Sequence, residues 1–170
     1  MNDENTMNFI EMGFIPLFYE IFKMCDNEYQ IQIEILGILK NASVSPFEAT
    51  IEIIRSPLVC ECIPIILEIG RIPLKRIALY LLRTLVEKVR LFTQNMMIAE
   101  QDKDMPNPSD ILLSILQKFF MVADELLNCD DDDIIQNCLY ILQHLTLEIQ
   151  TLEPVNAQQI INMFNLELKE

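Results

Sequence analysis

The sequence predicts an all-α protein built as a short solenoid, and three observations predict it. The first is a helix–turn–helix phrase, Glu11 to Ser43, that returns twice further along the chain. Repeats on this scale bury an apolar face against the next repeat, because one unit cannot bury it alone. The second is the period of the apolar residues, which recur every three to four positions in runs longer than typical strands. The third is composition: 170 residues, only 3 Gly, and 51% hydrophobic residues, enough to build one core in one domain spanning 1–170. Abundant Ile favours strands by propensity alone, but the period and length of the runs override it.

In the first phrase, Ile15, Leu17, Phe18, Ile21 and Phe22 form the apolar face of a helix that starts near Gly13. Pro16 suits its first turn, where an N–H has no intrahelical partner anyway. Cys25-Asp26-Asn27 stops this helix, and Asp26 or Asn27 can cap the next, about Glu28 to Ser43. That second helix is apolar at Ile31, Ile35, Leu36, Ile38, Leu39 and Ala42. The second phrase, Cys62 to Glu87, echoes Ile15-Pro16-Leu17 as Ile63-Pro64-Ile65 and closes its long helix on Leu82-Arg83-Thr84-Leu85. The third, Asp110 to Glu148, opens on Ile111-Leu112-Leu113 and ends on Leu142-Gln143-His144-Leu145.

Gly13, Ile15, Pro16, Glu28, Leu39, Asn41 and Ala42 stand where an armadillo repeat carries G-x-I-P-x-L, a Glu opening the long helix, and a closing L-x-N-L/A. The chain from about Glu11 to Glu148 therefore resembles the armadillo/HEAT-type helical repeat family. Leu17 comes one position early, and Thr84 and His144 stand where that family usually has Asn. A shorter resemblance, through Gly37-Ile38-Leu39-Lys40-Asn41 and the run on to Leu85, is to the armadillo-type domain of the serum-amyloid-A-like (SAAL) proteins. It would imply a nuclear protein.

The armadillo resemblance implies a right-handed superhelical solenoid of about three repeats, near 11–43, 46–100 and 110–150. It also implies a concave face lined by the last helix of each repeat, where the Asn of the L-x-N phrase bonds the backbone of an extended peptide. Carried over by position, this partner-binding ladder is Asn41, Thr84 and His144, with Gly37, Tyr80 and Tyr140 one turn earlier. The two tyrosines in matching places suit an interface. A plainer reading stands beside it: Asn41 satisfies local backbone groups and the tyrosines are half-buried packing.

The remaining elements follow in order. Met1 to Asn5 reads as loose, and Thr6 to Glu11 as the last turns of an incomplete first helix. Ser45 caps a short helix through Ile54, with Pro46 at its first position. Arg55-Ser56-Pro57 breaks it before a helix from about Leu58 to Glu68, ended by Gly70 in a left-handed cap conformation. Ile72-Pro73 opens the longest helix, carried to about Glu100, and an exposed loop spans about 101–109. Ser109-Asp110 caps the next helix, through about Leu127. Four aspartates, Asp130 to Asp133, precede a helix from about Asp132 to Gln150; acidic residues are favoured at a helix start, and one of them caps it. A last amphipathic helix, about 156–168, closes the solenoid as a cap.

Charge and chemistry narrow the function classes. A net charge of −14, with 12 Lys and Arg, disfavours nucleic acid, whose phosphates need clustered cations. It suits solubility or a partner protein or peptide with a basic segment. No apolar run is long enough for a membrane span, and the acidic start is unlike a secretory signal. The 5 Cys are odd in number, which suggests reduced thiols in the cytoplasm or nucleus, buried as small apolar groups. A single His leaves no zinc set and no paired histidines. Cys138 and His144 are about 600° apart around one helix at 100° per residue, so they form no thiol–imidazole pair. The sequence thus predicts no enzyme and no cofactor, but a protein-interaction module. The alternative is an assembly subunit that uses the solenoid ends or the 88–100 extension, where Met96, Met97 and Ile98 supply adaptable apolar contacts.

Overall fold

The computed structural model describes residues 3–25, 28–44, 46–93 and 108–151. All the regular structure in these residues is helical: α1 (Asp3–Glu11), α2 (Phe14–Met24), α3 (Tyr29–Ala42), α4 (Phe47–Arg55), a π-helical turn (Leu58–Cys62), α5 (Ile63–Ile69), α6 (Ile72–Thr93), α7 (Pro108–Leu127) and α8 (Asp132–Thr151). The expected end of the long helix beyond Thr93, most of the 101–109 loop and the 156–168 helix lie outside the described residues.

Most boundaries follow from local chemistry. Gly13 takes a left-handed φ of 77°, which lets the chain turn between α1 and α2 without a Cβ clash. Pro16 sits in the first turn of α2 as its missing N–H requires. At the start of α8, Asp131 Oδ1 accepts the Ile134 backbone N–H at 3.0 Å, so one of the four aspartates is the cap.

Several expectations are corrected. Asp3 to Asn5 are already helical, as the first turn of α1. α3 begins at Tyr29, one residue from the expected start, and the expected caps Asp26 or Asn27 for α3 and Ser45 for α4 lie outside the described residues. Pro46 precedes α4 instead of opening it. α7 starts at Pro108, so Ser109 and Asp110 lie inside its first turn and not before it. Gly70 is extended, with φ −69° and ψ 160°, instead of left-handed. Glycine is required there for space: a Cβ would collide with the Ile66 carbonyl oxygen. Finally, the helix expected from Leu58 is two pieces. The Ile63 N–H donates to the Leu58 carbonyl, a five-residue step that inserts a π turn before α5.

The core runs unbroken through the described residues. Leu36, Leu39 and Ala42 of α3 meet Leu79, Leu82 and Val86 of α6 in one buried cluster, which continues to Ile134, Cys138 and Ile141 of α8. Ile53 and Ile54 of α4, Leu67 of α5 and Phe119 of α7 close it from the other side. Leu17 and Ile31, counted as core by their spacing, are exposed. In α3 the buried place falls instead to Gln32, whose amide donates to the Phe22 carbonyl at 3.2 Å. Lys75 is also buried, and its ammonium is satisfied by the Glu68 carbonyl at 3.0 Å and Glu125 Oε1 at 3.3 Å.

Three helices lie side by side, α3 against α6 and α6 against α8. Side-chain pairings fix their directions. Tyr29 and then Lys40 of α3 meet Arg71 and then Tyr80 of the α6 strip. Arg76 and then Arg83 of α6 meet Asp131 and then Tyr140 of the α8 strip. Both orders ascend together, so α3, α6 and α8 are parallel. The chain must return between them, and it does so through α4 and α5 in the first interval. α1 packs on α4, and α4 and α5 on α7, as a second layer behind these three helices.

Candidate partner-binding face

Parallel packing of α3, α6 and α8 brings one line of side chains across three helices. Lys40 Nζ of α3 lies over the Tyr80 ring of α6, 4.4 Å from its centroid. Arg83, three residues on and therefore on the same side of α6, lies 5.9 Å from that ring. The same guanidinium packs 3.8 Å from the centroid of Tyr140 on α8. Tyr140 in turn stacks on His144, with ring centroids 3.9 Å apart and 24° between the planes. The result is a ladder of alternating cations and rings: Lys40, Tyr80, Arg83, Tyr140, His144. Each cation–ring contact is worth about 0.5–1 kcal/mol when exposed.

Hydrogen bonds lock several rungs. Arg83 Nη1 donates to Asn137 Oδ1 at 3.2 Å, and Asn137 Nδ2 donates to the Asp133 carbonyl at 2.8 Å. Buried Asn137 is thus satisfied on both sides and holds the guanidinium in place. Thr84 Oγ1 donates to the Tyr80 carbonyl at 2.9 Å. His144 Nδ1 stands 2.9 Å from the Tyr140 carbonyl oxygen. A carbonyl only accepts, so Nδ1 carries the hydrogen and Nε2 is the nitrogen not used by the helix.

The five residues singled out from sequence therefore fare differently. Tyr80, Tyr140 and His144 are brought into one ladder, and Tyr80 keeps 41% of its surface exposed. Thr84 and His144 each spend a polar atom on their own helix, so neither presents a free amide in the way an Asn would. Asn41, next to Lys40, is exposed. Sequence reasoning did not assign Lys40, Arg83 or Asn137 to this face. A signal for two of them was present: Lys40 and Arg83 each immediately precede a ladder position, Asn41 and Thr84.

The cations along this face differ in their partners. Arg76 is neutralised by Asp131 at 2.6 Å and Asp133 at 3.3 Å. The Arg76 guanidinium and the Ile134 N–H hold the Asp131 carboxyl below the usual carboxylate range. Arg71 packs over the Tyr29 ring at 4.0 Å. Among the described residues Lys40, Arg71 and Arg83 pair with no carboxylate, as is also true of Lys23, over the Tyr19 ring on α2, and of Lys88 and Lys118.

Other chemistry sits apart from this line. Burial pushes the Cys138 thiol up to about 12, so it stays protonated and weakly nucleophilic. Among the described residues no three His, Cys, Asp or Glu side chains gather as a metal site. No described helix is long and apolar enough to cross a membrane. No family model, curated protein or solved structure matches the chain.

Proposed function

We propose that the chain is a non-catalytic interaction module that binds a partner protein through the α3–α6–α8 face, and that it is built as a short, right-handed, armadillo-like solenoid. This architecture fits three parallel helices, α3, α6 and α8, with α4 and α5 packed on α7 beside them. The docking role rests on one observation above the others, the continuous ladder from Lys40 to His144 with exposed Tyr80 near its middle. Rigid aromatic and Arg side chains fixed by neighbours bind at low entropic cost, which is why such residues dominate interface energetics. Reduced thiols fit a module that works inside the cell.

The test compares wild type with a Tyr80→Ala, Tyr140→Ala, Asn41→Ala variant as bait in a lysate of the source cells, after circular dichroism shows both folded. A partner captured by the wild type and lost by the variant supports this face. A partner kept equally by both overturns it.

A further inference from the structure

The α3–α6–α8 face carries a short line of cations on a chain that is acidic as a whole. The protein carries −14 overall, with 26 acidic residues, enough to neutralise every cation it has. Yet three cations on this face, Lys40, Arg71 and Arg83, rest on tyrosine rings rather than against carboxylates. Glu87, one turn beyond Arg83, is exposed and, among the described residues, pairs with none of them. Arg76 at the edge of the face shows the contrast: it has two aspartates.

We infer that the occupant of this face is an extended acidic segment of a partner protein, whose carboxylates pair with Lys40 and Arg83 on either side of Tyr80. The inference rests on the docking role proposed above and specifies its chemistry. Arg83 has five N–H donors and Asn137 occupies one, so the guanidinium keeps donors for a carboxylate. Lys40 has three donors, and those not turned to the Tyr80 ring are open to a carboxylate. Tyr80 offers an apolar surface between the two cations for a side chain lying between two acids. A nucleic acid would present the same sign of charge at far higher density. Three cations along one face of a chain of −14 favour sparse carboxylates over a phosphate backbone, whose binding scales with the number of phosphates neutralised.

A random peptide library displayed on phage, selected against the full chain and against a Lys40→Gln, Arg83→Gln variant, tests this. Lys118→Gln, an exposed cation away from the face, serves as control, and thermal melts verify folding of all three proteins. The expected result is enrichment of peptides with two or more Asp or Glu, binding the double variant about tenfold or more weakly, as loss of two charge-assisted bonds requires. Lys118→Gln should bind as wild type. Arg83→Lys, which keeps the charge, should recover part of the loss. Enrichment of basic or uncharged peptides that still need Tyr80 and Tyr140 would overturn the acidic segment while leaving the docking face. Acidic peptides held equally by the double variant would overturn it, and so would the absence of any enrichment. A 20-mer oligo-dT that binds more tightly than the best peptide would overturn it in favour of single-stranded nucleic acid.

Discussion

Asp131 serves two helices with one carboxylate: Oδ1 caps α8 through the Ile134 N–H, and Oδ2 receives the Arg76 guanidinium of α6 at 2.6 Å. The pair joins the start of α8 to α6 just before the ladder begins. Asp131→Ala removes both bonds, and loss of the cap alone costs about 1 kcal/mol. Asp131→Asn keeps a good capping residue and removes the ion pair, which is worth about 0.2–1 kcal/mol at a partly exposed site. Urea denaturation should rank wild type above Asn and Asn above Ala. Equal midpoints for all three would show that neither bond holds α8.

The same carboxyl sets an acid limit. Its protonation is held below the ordinary range by Arg76 and the capped N–H. A depressed carboxyl contributes stability that is fully present above its unfolded value, about 3.9, and is lost as pH falls through the lower folded value. The stability difference between wild type and Asp131→Asn should therefore be constant from pH 7 to about 5. It should shrink as the pH is taken below about 4. A difference that grows in acid would contradict this assignment.

Glycine substitutions should separate shape from propensity. Gly37 lies inside α3 and a Cβ there would meet nothing within 4 Å, so Gly37→Ala should stabilise by about 0.5–1 kcal/mol. Gly70→Ala should destabilise by about 1 kcal/mol or more, because the new methyl meets the Ile66 carbonyl. Thermal melts moving in opposite directions are the expected outcome.

Cys138 should resist alkylation in the folded protein at pH 8, because its thiol is fully covered and pushed up to about 12. Cys25, Cys60, Cys62 and Cys129 are only partly covered and should react before it. Peptide mass spectrometry after timed iodoacetamide treatment reads this directly, and early labelling of Cys138 would mean that α8 opens.

Core truncation sets the scale for these effects. Leu82 is fully buried where α6 joins the cluster, so Leu82→Ala should cost about 2–5 kcal/mol. Leu139, exposed on α8, should change stability by less than about 0.5 kcal/mol when truncated. A comparable loss at both positions in urea denaturation would place the core elsewhere.

The apolar period made the helices legible, and α2, α3 and the start of α6 follow it closely. It misplaced Leu17 and Ile31 because a stripe read from spacing has soft edges, and only the neighbouring helices decide which edge is covered. For the candidate face, Tyr80, Tyr140 and His144 could be singled out by matching positions in successive repeats. Their cations could not. Lys40 meets Tyr80, and Arg83 meets Tyr140, across helices far apart in sequence. A summed charge of −14 also hides a positive line of side chains a few residues long. The π turn was illegible because its extra residue leaves no mark in composition.

That extra residue acts as a frameshift in the pattern of burial. Leu58 and Val59 are buried before it; at α-helical spacing the line from Leu58 would run to Cys62, Ile65 and Ile69, and the line from Val59 to Ile63, Ile66 and Leu67. After the turn the covered residues are Ile63, Ile66 and Leu67, while Ile65 is 54% and Ile69 77% exposed. The turn thus keeps the Val59 line covered and leaves the two isoleucines of the Leu58 line outside, though neither is polar. Deleting one residue between 59 and 62 would rotate α5 by about 100°. It would carry Ile65 and Ile69 inward and turn out residues that the core now holds. The reading frame of this surface is written in five residues of backbone, where one residue more or fewer moves a whole face at once.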